Sequence, residues 1–325
     1  MSRLSSRFFL ISSVALSLIS LDWAKNVIPS GYRLASVAEA TECSTGSSFT
    51  YDQDSCTAAL SCSSLDRVTI KYDSNFEGKN ASGPNVTVTA ITGSTCNVSI
   101  SKISGSSKCG YKIKWYNSNT RLKIDTNAKS GDKGCEMKIQ LEAPNSANVE
   151  TQSGDDDDDD DKDKDDDDDD DDDTDYGITG NKADVQVVGT KGKVKIKTTS
   201  GDIYADITSS EVKATSDTGD ITVKGLTQKA TIKTDEGNVR AQYCKAPEDN
   251  NNDFYLKIKE DTGDANLLFP DGSQFKMSIS TPDDSLRNDF TSCSSCDFKL
   301  DGKVKHYLFI SKYSLETGKT DACKY

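Results

Sequence analysis

The sequence predicts an all-β protein made of stacked β-repeats of about 18 residues, with a disordered acidic insertion. Three observations support this: glycine turns recur with that period, apolar residues alternate with polar ones, and hydrophobic residues make up only 34% of the chain. Such a composition suits thin β layers with many turns better than the wide core of an α/β protein. The 325 residues allow two ordinary domains or one long repeat-built domain.

The repeat is centred on turns at Gly201, Gly219, Gly237 and Gly263. The first two intervals between these glycines are eighteen positions long and the last is twenty-six. Removing the polar stretch 246–253 makes the last interval equal to the others. The positions seven and five before each glycine, and two and four after it, are all Ala, Val, Ile or Leu: Val194, Ile196, Ile203, Ala205, Val212, Ala214, Ile221, Val223, Ala230, Ile232, Val239, Ala241, Leu256, Ile258, Ala265 and Leu267.

This alternation predicts half-buried strands, and glycine beside Ser, Thr or Asp supplies the turn between two of them. One repeat cannot bury its apolar face alone, so the repeats must stack. A unit of this length fits one coil of a β-solenoid or one hairpin-like element of a β-sandwich. The solenoid-like arrangement is favoured.

A further turn of this kind contains Gly154, with Ala147 and Val149 seven and five positions ahead of it. Removing residues 156–175, which contain most of the acidic run, brings Tyr176 and Ile178 to the two apolar positions after the glycine. The run is therefore predicted to be an insertion into one turn of a continuous repeat, and not a linker between domains.

The predicted organisation is a signal peptide or N-terminal anchor with leader over 1–40 and a β-repeat domain over 41–325, interrupted by a disordered poly-Asp insertion over 155–175. Further alternating segments are expected to be strands, those after the last glycine turn closing the array: Val68–Ile70, Val86–Val88, Val98–Ile100, Met137–Leu141, Phe275–Ile279 and Val304–Ile310.

The pattern SGDI…VKATSDTGDITVKG…ATIKTDEGNV resembles the bacterial β-strand-repeat family named "putative adhesins", which is related to auto-transporter head-like domains. The segment Leu267–Phe275 with Ser280-Thr281 is similar to that family's strand after the last Gly-Asp turn. The likeness covers about 180–281 firmly and 65–155 diffusely. It implies an exported β-repeat protein and little chemistry. The ten cysteines and the Asp run depart from the family.

The N-terminus carries Arg3 and Arg7 followed by an apolar run from Phe8 to Leu21, which is typical of a secretory signal. The run is shorter than the roughly 20 residues that cross a bilayer comfortably. An uncleaved anchor remains the alternative, and the predicted location is periplasm, cell surface or secreted.

Six of the ten cysteines precede the acidic run and four follow it, so each half holds an even number and can close its own disulfides, as in exported proteins. The spacing of Cys293 and Cys296 also occurs in redox and zinc sites, but it lacks a second pair. All ten are predicted to form structural disulfides of unknown pairing: Cys43, Cys56, Cys62, Cys96, Cys109, Cys135, Cys244, Cys293, Cys296 and Cys323.

The charge of −14 arises from the segment Asp155–Asp173, which holds 17 Asp and two Lys and leaves the rest of the chain near +1. A balanced remainder predicts no nucleic-acid partner, because phosphate contacts need clustered Lys and Arg.

The Asp run is expected to be extended and solvated, and to associate with Ca²⁺ weakly, in the millimolar range. Equal calcium uptake by a variant without the run would contradict this. The weak metal candidates are Asp155, Asp158, Asp161, Asp163, Asp165, Asp168 and Asp171, and no other cofactor is predicted.

Acidic residues in the turns could stack into a ladder on one edge, although turn formation explains them without a metal: Asp202, Asp217, Asp220, Asp235, Asp261 and Asp264. Three sequons, at Asn80, Asn85 and Asn97, would accept glycans only in a eukaryotic secretory host.

No catalytic residue is predicted. The single histidine, His306, is expected to be structural, and the hydrolase, zinc-protease and phosphate-loop motifs are missing from the sequence. The sequence therefore predicts a non-enzymatic exported adhesin or surface-interaction module with an unknown surface or matrix ligand. The alternatives are a periplasmic or envelope structural protein and a carbohydrate-active β-solenoid enzyme.

Overall fold

The computed structural model describes residues 41–51, 53–72, 84–104, 109–128, 135–153, 183–208, 211–244, 255–260, 262–282, 285–290, 299–305 and 307–313. These residues all belong to one compact unit, Thr41–Tyr325. No helix in the described ranges is long and apolar enough to cross a membrane.

The described residues form β-strands joined by turns. The first eight are β1 (Thr41–Glu42), β2 (Ser55–Ser61), β3 (Arg67–Tyr72), β4 (Val86–Ile91), β5 (Thr95–Ser104), β6 (Cys109–Tyr116), β7 (Arg121–Ala128) and β8 (Glu136–Pro144). The next eight are β9 (Asn148–Ser153), β10 (Val185–Val188), β11 (Val194–Ser200), β12 (Ile203–Asp206), β13 (Glu211–Thr218), β14 (Ile221–Leu226), β15 (Lys229–Glu236) and β16 (Val239–Tyr243). The last six are β17 (Tyr255–Glu260), β18 (Ala265–Pro270), β19 (Lys276–Ser280), β20 (Leu286–Asn288), β21 (Lys299–Val304) and β22 (Leu308–Tyr313).

The strands assemble into two sheets. Sheet 1 has the order β1-β2-β5-β8-β4-β10-β12-β14-β16-β18-β22-β20, and sheet 2 has the order β19-β21-β17-β15-β13-β11-β9-β3-β7-β6. Their buried residues form one continuous hydrophobic core. The all-β prediction is confirmed.

From β9 onward, successive strands alternate between the sheets, and each strand pairs in parallel with its equivalent in the next repeat. Val194 is in register with Val212 and that residue with Ala230, one repeat period further each time. The last interval also follows the prediction, because Ala230 is in register with Leu256. Parallel pairing at the repeat period makes each repeat one coil of a solenoid, since a hairpin element would pair antiparallel.

The predicted apolar positions point inward. Every one whose side chain is described is at most 2% exposed; the side chain of Leu256 lies outside the described residues. These columns supply the stabilisation, because each coil buries apolar area against the opposite sheet and against both neighbouring coils.

The predicted register at the insertion is wrong. Val149, not Ala147, is in line with Val194, and the two positions after the turn are occupied by Val185 and Val187. Ala147 lies one turn earlier, below Gly192, whose hypothetical Cβ would come within 2.3 Å of the Ala147 carbonyl oxygen.

The repeat thus resumes at Ala183, one period before Gly201, and strands β9 and β10 form the coil that contains the insertion. Tyr176 and Ile178 lie outside the described residues, as does the whole stretch 154–182.

Coil order departs from chain order near both ends. The β3/β4 coil lies between β7/β8 and β9/β10, and the β21/β22 coil lies between β17/β18 and β19/β20. The closing segment 304–310 is also not one strand, because β21 ends at Val304 in sheet 2 and β22 begins at Leu308 in sheet 1.

The two ends of the array are closed differently. At the N-terminal end, β2 and β5 and the β6/β7 pair are antiparallel, and disulfides join Cys43–Cys56, Cys62–Cys96 and Cys109–Cys135. At the other end, aromatic rings pack between the sheets, with centroid distances of 4.8–5.2 Å along the series Tyr243, Phe269, Phe275 and Phe290.

Candidate interaction surfaces

The Asp and Asn residues that follow the turn glycines, together with Asp184 at the equivalent position after Ala183, stack into a ladder along one edge of the solenoid. The Oδ1 atom of each accepts the backbone N–H of the equivalent residue in the next coil. Asp184 accepts from Asp202 at 2.9 Å, Asp202 from Asp220 at 2.9 Å, and Asp220 from Asn238 at 2.7 Å. Their oxygens therefore satisfy backbone donors of the stack, and the turns need Asp or Asn for this purpose.

The glycines beside this ladder leave no room for a side chain. A Cβ on Gly219 would lie 2.2 Å from the carbonyl oxygen of Gly201, and one on Gly237 would lie 2.2 Å from that of Gly219. Both residues also have positive φ, 153° and 144°. Close coil-to-coil approach thus adds to the turn's demand for glycine.

A buried hydroxyl three positions before Gly201, Gly219 and Gly237 forms a second ladder, whereas Glu260 occupies that position before Gly263. Thr198 donates to the carbonyl oxygen of Ala183 at 3.1 Å, Ser216 to that of Gly201 at 3.0 Å, and Thr234 to that of Gly219 at 3.1 Å. Sequence analysis missed these residues, although the recurrence of Ser or Thr at that position was a visible signal.

The predicted turn acids separate into two groups. Asp202, Asp220 and Asp264 belong to the edge ladder, whereas Asp217 and Asp235 lie on the outer side of sheet 2. Burial raises the pKa of Asp217 above its ordinary value, and the neighbouring Asp235 carboxylate adds to the rise, while Lys233 and Lys197 oppose it. Asp261 lies outside the described residues.

The outer side of sheet 2 is rich in lysine. We call the outward residues of β11, β13, β15, β17 and β21 the lysine face. Its nine lysines are Lys195, Lys197, Lys213, Lys229, Lys233, Lys257, Lys259, Lys299 and Lys303, against the four acids Glu211, Asp217, Asp235 and Asp301. The near-zero net charge of the chain outside the Asp run does not reveal this clustering.

Strand register arranges these lysines in columns that run along the solenoid. In one column Lys233, Lys259 and Lys303 occupy three consecutive strands. In the adjacent column Lys195 and Lys213 are neighbours. Parallel strands are about 4.8 Å apart, so the backbones of neighbouring lysines in one column are separated by one strand spacing.

The outer side of sheet 1 is different, because neutral polar residues dominate it. An open groove of about 410 Å³ lies at its N-terminal end and is lined by Thr57, Thr87, Thr89, Asn97, Val98, Ser99, Gln140, Leu141 and Glu142. Asn97 donates a hydrogen bond to Glu142 inside it. This groove can offer hydrogen bonds but little charge.

Two of the predicted sequon residues are described. Asn97 lines the groove, whereas Asn85 is buried, and its Oδ1 accepts the backbone N–H of Asp184 at 3.1 Å. Asn85 therefore continues the edge ladder into the N-terminal coils. Asn80 lies outside the described residues.

The weak metal candidates in the Asp run all lie outside the described residues: Asp155, Asp158, Asp161, Asp163, Asp165, Asp168 and Asp171. So do His306, Cys293, Cys296 and Cys323, while Cys244 is disulfide-bonded. Across the described ranges, His, Cys, Asp and Glu do not gather in groups of three or more that could hold a metal ion.

Comparison with known proteins gives little. No protein-family model matches the chain, and no curated protein matches it. Among solved structures, a "putative cell adhesion protein" from Clostridium sporogenes is similar over 80% of this chain and 97% of its own, with a TM-score of 0.30 and 6% identity. So low a similarity carries no argument about fold or function.

Proposed function

We propose that this chain is an exported, non-enzymatic β-solenoid module for adhesion or surface interaction, which binds its ligand through an outer sheet face. The observation that carries the proposal is a division of roles among the side chains. The inward columns and the two turn ladders hold the stack. The outward side chains are thereby left to meet a partner.

Export is supported by the disulfides. Three bonds close the N-terminal end of the array, and Cys244 is bonded as well. Such density of structural disulfides is typical of oxidising compartments. The basic and apolar N-terminus and the likeness of the repeat pattern to the β-strand-repeat adhesins agree with this location.

A binding role is supported by the chemistry of the groove on sheet 1. Its lining contains one carboxylate, Glu142, and that group already accepts a hydrogen bond from Asn97. Glycoside hydrolysis in its common form uses two carboxylates on opposite sides of the bond. The groove thus suits recognition of a polar ligand better than turnover.

The test is protease shaving of intact cells, followed by mass spectrometry of peptides from 177–325. We expect release of these peptides without release of a periplasmic marker protein. Peptides that appear only after outer-membrane permeabilisation would overturn surface display, and the alternative of a periplasmic or envelope structural protein would replace it.

A further inference from the structure

We propose that the lysine face is a binding surface for a linear acidic polysaccharide, whose regularly spaced sulfate or carboxylate groups lie along the lysine columns. The proposal deepens the proposed function by naming a ligand class. It is tested on purified protein, so that its outcome is independent of where the chain is displayed.

The lysine columns carry a cost in stability. Like charges placed directly opposite on neighbouring strands destabilise a sheet. Lys233, Lys259 and Lys303 nevertheless occupy consecutive strands, and Lys195 is next to Lys213. The inward columns and the ladders hold these coils together without any lysine. Two ion pairs offset part of this repulsion, Lys233 with Asp235 at 3.7 Å and Lys195 with Glu150 at 3.1 Å. A polyanion that neutralises the remaining positive charge accounts for a row of lysines that the stacking of the coils does not require.

The acids of the lysine face lie mainly outside its centre. Glu211 forms an ion pair with Lys193 at 2.6 Å, and Asp217 and Asp235 lie in the column next to the glycine turns. The two central columns hold seven lysines, two threonines and Asp301. The centre of the face is therefore positive along five strands, about 20 Å from β11 to β21 at the usual strand spacing.

The residue types of the lysine face indicate which kind of polyanion it binds. The lysine face has no arginine, so it lacks the planar fork that binds phosphate with two hydrogen bonds. The two central columns contain no aromatic ring for a base to stack on, and no large apolar group to enter a lipid surface. Point charges in straight rows fit the repeated anionic groups of a sugar polymer better than nucleic acid or membrane.

The experiment measures the affinity of the purified full chain for immobilised heparin, with neutral dextran as the control surface, at several salt concentrations. The column variant carries Lys233→Gln, Lys259→Gln and Lys303→Gln, which removes the three consecutive lysines of one column. The matched control carries Lys191→Gln, Lys224→Gln and Lys312→Gln, which removes the same charge from outside the face.

We expect the wild type to bind heparin and not dextran, and the column variant to bind at least tenfold more weakly. The control variant should stay within about twofold of the wild type. The slope of log affinity against log salt should fall by about two to three in the column variant, since each lysine contact releases about one counterion. Equal losses in both variants, or no binding by the wild type at low salt, would overturn the proposal.

Two further measurements separate polysaccharide binding from a structural role of the lysines and from binding of a different polyanion. The column variant loses like-charge repulsion along the column and also the half-exposed Lys233–Asp235 ion pair, which contributes little in water. It should therefore melt no lower than the wild type, and a lower melting temperature would show a structural role of the lysines. Single-stranded DNA and anionic phospholipid vesicles are tested in parallel. Tighter, column-dependent binding of either would overturn the polysaccharide assignment.

The chain's own acidic run gives a last check. Deleting Asp155–Asp173 removes a net charge of −15 from the molecule. Because these charges repel any polyanion, we expect the deletion to strengthen heparin binding. Weaker binding after the deletion would mean that the run itself contacts the polymer, and would contradict the assignment to the lysine face.

Discussion

The coils that follow the acidic insertion and the strands that precede it solve the same stacking problem differently. From β9 to β18, chain order and coil order agree, and the coils share the inward apolar columns and the Asp or Asn ladder. The hydroxyl contact recurs in three of these coils, at Thr198, Ser216 and Thr234. Before the insertion, coils are out of chain order, three strand pairings are antiparallel, and three disulfides hold the end. Repetition suffices where each coil has two like neighbours, whereas an end must be covered individually.

The largest expected effect is on the repeated region. Gly219→Ala places a methyl group 2.2 Å from the Gly201 carbonyl oxygen at a residue with φ of 153°. We expect a loss of about 3–5 kcal/mol in unfolding free energy from overpacking and backbone strain together. Chemical denaturation measures it. Gly46→Ala, which meets nothing within 4 Å, is the control and should change stability by less than about 0.5 kcal/mol.

The second prediction concerns the N-terminal end. Replacing Cys62 and Cys96 by Ser removes a bond that spans 34 residues and should cost about 2–4 kcal/mol. Hydrogen exchange should accelerate in β2, β5 and β8 and remain slow in β13 and β15, because solenoid coils contact only their neighbours. Uniform acceleration along the chain would show that the two regions unfold as one unit.

The smallest expected effect is that of the Asp217 carboxyl on the outer side of sheet 2. The pKa of Asp217 is raised above 3.8 in the folded state, so the folded protein binds the proton of this carboxyl more tightly than the unfolded chain does. The contribution of this group is therefore most favourable at low pH and is lost as the pH rises through the raised pKa.

Asp217→Asn should accordingly raise the melting temperature slightly at pH 7 and leave it unchanged below pH 3.8. Asp220→Asn serves as the control for replacing a carboxylate by an amide, because the amide oxygen of Asn238 already accepts the equivalent hydrogen bond in the edge ladder. A destabilised Asp217→Asn variant at pH 7 would show that the carboxylate makes a favourable contact that outweighs its burial.

The repeat was predictable because its signals are local. The turn glycines and the alternation around them specify strand, turn and inward face within a single coil, and the repeat period then sets the parallel register, as for Val194 and Val212. The insertion register was mistaken for a related reason. Gly154 imitates a turn glycine in sequence, but the inward residues Val149 and Thr151 set the pairing.

Other features carried no local signal. The pairing of β3 with β7 and β9, and the placement of β21 between β17 and β19, join segments far apart in sequence. The lysine face was missed because residues 195–303 contribute to it one strand at a time. A sum of charges cannot tell which lysines share a surface.

The sequence by itself determined the repeating unit of this protein, a short coil with apolar columns and glycine turns. It also predicted export and structural disulfides. The tertiary structure alone decided the order of coils at the ends, the disulfide partners at the N-terminal end, and the side of the solenoid on which the lysines gather. The physical reason is the distance along the chain between the residues that interact. A coil is specified by neighbours along the chain, whereas ends and faces are specified by pairings between strands that the chain brings together only when it folds.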